Sequence, residues 1–136
     1  APEIKQSCTN SGLDSLTEYK GFLPYNQVIT EMMKASYLLV CATEPRHVPG
    51  KLFEYLRIGK PIIAFGDGNE EVKKILNDAN AGMMFGYNES GEEFFRKNST
   101  FKTDFNFIKK FEREKITERF AELINLTASK KYEHRK

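Results

Sequence analysis

A chain of 136 residues, 40% of them hydrophobic and 29% charged, is long enough for one domain with a real core and too short for two comfortable ones. Its 21 Lys and Arg stand against 19 Asp and Glu, a formal charge of only +2, which excludes a disordered or fibrous chain and gives no sign of a nucleic-acid module. Two cysteines, Cys8 and Cys41, form neither a disulfide framework nor a metal-ligand spacing, and His47 and His134 have no Cys or His neighbour, so the setting implied is reducing and cytoplasmic, without a bound metal.

Residues 1–15 are a polar lead-in, and the opening APEIKQSCTN has neither the charged nor the apolar region of a signal peptide. SLTEYKGFLP predicts a short strand near Glu18 to Phe22, ended by Pro24. NQVITEMMKA follows as a helix with Val28, Ile29, Met32 and Met33 on one face. The continuous apolar run SYLLVCA has the character of a strand buried on both faces, as in a parallel sheet covered by helices, which would also bury Cys41.

PGKLFEYLRIGKPIIAF then supplies a helix and a strand: Pro49 and Gly50 open the helix, Gly59 falls where a left-handed end is expected, and Pro61 begins the strand. A helix from about Glu70 to Asn80 has Val72, Ile75, Leu76 and Ala79 at helical spacing, and AGMMF is the last strand, with Met83 and Met84 on opposite faces. In the helical segment 104–128, Ile116, Phe120, Leu123 and Ile124 form an apolar stripe expected to pack across the sheet, with a helix capped near Glu112 and a staple from Phe111 to Ile116. The chain closes on the basic run KKYEHRK, a solvated end or a point of attraction to an anionic membrane surface. No apolar run approaches the length of a membrane span.

Alternating strands and helices predict an α/β fold: a Rossmann-like parallel sheet of about four strands with flanking helices, followed by a C-terminal helix. Ligands in such a sheet lie beyond the carboxyl ends of the strands, here Phe22 to Tyr25, Ala42 to Gly50 and Gly66 to Glu70. Gly50-Lys51 and Gly59-Lys60 lack the Ser or Thr and the earlier Gly of a phosphate loop, and Gly66-Asp67-Gly68 has Glu71 where a dinucleotide fingerprint needs its third Gly. What survives is the loop ATEPRHVP running into a helix start at Gly50-Lys51, whose free N–H groups and positive dipole end favour a phosphate.

Glu54, one turn into that helix, is set among Leu52, Phe53, Tyr55 and Leu56. Its carboxylate has two readings: acceptor of two hydrogen bonds from a vicinal diol such as a ribose, or partner of Lys51 or Arg57 within the helix. Phosphate on the helix start and ribose on Glu54 together describe a nucleotide.

The run VPGKLFEYLRIGKPIIAF, preceded by GFLPYNQVITEMMKASYLLV and followed by NEEVKKILNDANAGMMF, resembles the carboxyl-terminal, donor-binding domain of retaining glycosyltransferases built from two Rossmann-like domains, of the group 1 or family 4 type. The resemblance covers roughly Leu16 to Phe85. It implies a sugar transferred from a nucleoside diphosphate sugar, without a metal, to a saccharide or lipid-linked acceptor in polysaccharide biosynthesis, in the cytoplasm or at the inner face of the membrane. By the same resemblance, Glu54 holds the nucleotide ribose, Val48, Pro49, Gly50, Lys51 and Leu52 meet the diphosphate, and Phe22, Leu23 and Pro24 lie near the nucleobase. The family's sugar-facing glutamate falls on Arg46, with Glu44 the nearest acid.

The family's earlier strand-helix units, its Arg/Lys pair and its acceptor-binding amino-terminal domain have no counterpart in these residues. Residues 1–136 are therefore expected to be the later part of such a donor domain, inactive alone, with an orphan sheet edge open to self-association and residues 1–24 either placed differently from the family or in an intermolecular contact. A non-catalytic flavodoxin-like nucleotide-binding or assembly module is the alternative.

Overall fold

The computed structural model describes residues 2–134, and of 129–134 the backbone alone. The domain read from the sequence is made of two compact units, Ala1–Glu31 and Met32–Lys136. In the first unit, helix α1 (Pro2–Asn10) is followed by a 3-10 turn (Asp14–Leu16), and no side chain of either is buried. The strand expected near Glu18 to Phe22 does not form. Gly21 has φ +66°, which breaks an extended run in its middle, and no described strand pairs with this segment. Helix α2 (Tyr25–Lys34) then carries the chain into the second unit, with Val28, Ile29 and Met32 half-buried and Met33 exposed.

The second unit is a parallel three-stranded sheet in the order β1 (Leu38–Cys41), β2 (Ile62–Phe65), β3 (Gly82–Phe85). Leu38 lies opposite Ile62, and Ile62 opposite Gly82. Helices α3 (Gly50–Ile58) and α4 (Glu70–Asp78) are the two crossovers, as the alternation predicts. Strand residues alternate between faces, so Leu38, Val40, Ile62 and Ala64 share one face, where Leu52, Leu56, Val72, Ile75, Leu76 and Ile108 complete the main core. The opposite face packs Ile63 and Phe85 against Phe94 of α5 (Glu92–Lys97), with Phe65, Met83 and Phe101 around them. Met83 and Met84 divide between the two clusters as expected.

β1 departs from the double burial read from SYLLVCA. It is an edge strand whose Leu39 and Cys41 point to the same face as Ile63 and Phe65 but lie outside the cluster that Phe94 of α5 covers, and both are exposed. Cys41 is therefore not a buried thiol.

The last helix, α6 (Phe105–His134), starts earlier than expected. Asp104 caps it, its Oδ1 accepting from the N–H groups of Asn106 (3.0 Å) and Phe107 (3.2 Å), so the helix start expected near Glu112 is overturned. Phe111 lies inside the helix and stacks on Phe53 and Phe107, with ring centroids 5.8 Å apart in each pair, rather than stapling to Ile116. Glu112 to Arg57 at 2.7 Å and Lys115 to Glu71 at 3.6 Å tie this half of α6 to α3 and α4. The stripe Ile116, Phe120, Leu123 and Ile124 is exposed and does not pack across the sheet. Residues 135 and 136 of the KKYEHRK run lie outside the described residues, as do the side chains of 130–134 with His134. No helix among the described residues is long and apolar enough to cross a membrane.

Candidate functional site

The three strand ends, Cys41, Phe65 and Phe85, open onto one edge of the sheet, where the loops 42–49, 66–69 and 86–91 emerge. The first of these leads into α3. Its N-cap residue is Pro49, with φ −59° and ψ 135°, and it provides no side-chain cap. Of the first N–H groups, Leu52 N bonds back to Pro49 O at 3.0 Å, while those of Gly50 and Lys51 point out of the helix without an intrahelical acceptor. A Cβ built on Gly50 meets nothing within 4 Å, so the backbone is open to an approaching anion. Lys51 is exposed and forms no described ion pair, leaving its ammonium available above the same turn.

Helical geometry explains the acid at position 54. Leu52 and Leu56 point into the core. Glu54 is two residues from each, about 200° round the helix, and so lies on the opposite side, half-exposed. Neither intrahelical partner considered for it is engaged: Arg57 Nε donates to Glu112 Oε1 at 2.7 Å, and no ion pair or hydrogen bond to Glu54 is found among the described residues. Its charge is felt by Tyr55, whose phenol is pushed above its ordinary value of 10.0 first by burial, then by the Glu54 carboxylate and by Cys41. A carboxylate one turn above an uncapped helix start, with no cation on it, is a free double acceptor.

The loop 42–49 is held from behind by a residue that sequence reasoning missed. Asn69 is 3% exposed and caps α4, its Oδ1 accepting from Val72 N at 3.0 Å. Its Nδ2 donates to Glu44 O at 3.0 Å and His47 O at 2.8 Å. One carboxamide thus ties the β2 to α4 turn to the loop before α3. The signal was present, since an Asn before Glu70-Glu71 and an apolar run is an N-cap, but its second role depends on a loop 22 residues away.

Arg46, Glu44 and His47 are exposed in this loop, and Val48 packs against the core. Val48 to Leu52 and Glu54 are therefore brought together on one turn and its lead-in. Phe22, Leu23 and Pro24 belong to the first unit, where Phe22 is 98% exposed and Leu23 half-buried. Beside the loop, Gly66 to Glu70, Lys73, Met84 to Gly86 and Glu89 line a cleft of about 190 Å³. No group of three or more His, Cys, Asp or Glu suited to a metal ion occurs among the described residues. No family model, curated protein or solved structure matches the chain significantly.

Proposed function

We propose that this chain is the later part of the donor-binding domain of a retaining glycosyltransferase of the two-Rossmann-domain type, and that it holds a nucleoside diphosphate sugar at the carboxyl edge of its sheet. The observation that carries the reading is the half-exposed Glu54 carboxylate, without a cation, one turn above an open helix start. The free amides of Gly50 and Lys51 and the Lys51 ammonium take the diphosphate, and Glu54 takes the two hydroxyls of the ribose. As the sugar departs, negative charge grows on the diphosphate, and the fixed N–H groups stabilise it without reorganisation. Glu44 or Arg46 faces the donor sugar. The acceptor, a saccharide or lipid-linked saccharide of polysaccharide biosynthesis, belongs to a separate domain, so this chain alone binds donor and does not turn it over. The place of action is the cytoplasm or the inner membrane face, and the free edge of β1 is a route to self-association.

Calorimetric titration of the chain and of Glu54→Ala with UDP, GDP and their sugar conjugates tests this. The expected outcome is that one nucleotide series binds and that the variant binds at least tenfold more weakly, about 1.4 kcal/mol. Equal affinity for both chains, or no binding by a folded chain, overturns the assignment of Glu54.

A further inference from the structure

The loop that leads into α3 has little of its own to hold it. Thr43 to His47 are all exposed, and none of them forms an ion pair among the described residues. Pro45 and Arg46 form the tip of a turn that His47 N closes on Glu44 O at 3.2 Å. Among the described residues, the hydrogen bonds that join 43–47 to another element both come from the Asn69 carboxamide, whose Nδ2 donates to Glu44 O at 3.0 Å and to His47 O at 2.8 Å. Those carbonyls are the two ends of the turn. One amide group therefore clamps its base and leaves Arg46 at its tip.

We infer that Asn69 is the positioning residue of the donor site: its amide fixes the turn 44–47, and through it the placement of Arg46 and the entry of the chain into the helix start at Gly50-Lys51. The inference rests on the donor-binding reading of that site and deepens it. Asn69 is 3% exposed, so its donors meet the loop rather than water. Its Oδ1 is held on Val72 N at 3.0 Å, which fixes the plane of the carboxamide and with it the direction of both N–H bonds. Ser or Asp would cap α4 as well as Asn does, but neither joins two donors to the capping acceptor in one planar group. The choice of Asn is thus explained by the loop and not by the helix.

A loop without other ties samples many conformations, and the affinity of its ligand falls by the fraction of time spent in the binding one. Asn69 raises that fraction from behind the site.

Three variants of the full chain separate the roles. Asn69→Ser keeps the cap acceptor and removes both donors, Asn69→Ala removes cap and donors, and Gly59→Ala, at the far end of α3, destabilises the fold with the clamp intact. Amide exchange followed by NMR without ligand is expected to show His47 N–H exchanging about tenfold faster in both Asn69 variants, beyond any change at Val40 and Ala64, which report global opening. In Gly59→Ala, His47 should change no more than those two. Calorimetric titration with UDP and GDP is expected to show the better binder weakened about fivefold or more in Asn69→Ser, equally in Asn69→Ala although that chain is less stable, and not at all in Gly59→Ala. His47 exchange no faster in Asn69→Ser, affinity unchanged there, or affinity that follows stability across the three variants overturns the inference. A parent that binds neither nucleotide overturns the donor reading instead, and the exchange rates alone then decide whether Asn69 positions the loop.

Discussion

The carboxamide of Asn69 spends its oxygen on the α4 cap and its nitrogen on two carbonyls of the loop before α3, all three bonds within 3.0 Å. Removing it leaves Val72 N–H and the Glu44 and His47 carbonyls without that partner at a site only 3% exposed. Losing an N-cap costs about 1 kcal/mol, and each buried polar group left unpaired adds on the order of 1 kcal/mol or more. Asn69→Ala should therefore lower stability by about 2–3 kcal/mol in urea denaturation. Asn69→Asp keeps the cap acceptor but turns a carboxylate toward two carbonyls, so at neutral pH it should recover little of the loss. An Asp variant as stable as the parent would show that the cap alone matters and that the loop is held by other means.

Among the elements, α3 and β2 were the most legible because four residues punctuate them: Pro49, Gly50, Gly59 and Pro61. Gly59 takes the left-handed C-cap foreseen for it, with φ 84° and its N–H on Tyr55 O at 3.1 Å. A Cβ there would also sit 2.8 Å from Phe105 Cζ. Gly59→Ala should cost about 1–2 kcal/mol, the left-handed strain plus displacement of a half-exposed ring, measured as a drop in denaturation midpoint with unchanged slope. Gly50→Ala, which meets nothing, should leave stability within about 0.5 kcal/mol. Helix α1 could not be read because PEIKQSCTN has no apolar stripe. α6 was misread at its start because Phe107, Ile108 and Phe111 pack on the domain while the stripe from Ile116 lies on another side, so no one face runs the length of the helix. Glu54 shows the same limit at the site: its position on the helix was legible, but its freedom depends on Arg57 being taken by Glu112, 55 residues away.

Across the whole molecule, the sheet has one closed face and one partly open. Parallel sheets are ordinarily covered on both faces, and here α5 covers only the β2 and β3 side, leaving Leu39 and Cys41 of the edge strand exposed. Adjacent residues of one strand should then behave very differently. Leu38, 6% exposed in the main core, should cost about 2–4 kcal/mol when truncated to Ala, since a cavity opens against α3. Leu39, 56% exposed, should cost within about 0.5 kcal/mol in the same chemical denaturation experiment. The contrast also reads the state of the edge. If Leu39→Ala loses as much as Leu38→Ala, and the loss grows with protein concentration, then the edge is covered by another strand in solution, because an unpaired apolar side chain has no burial to forfeit.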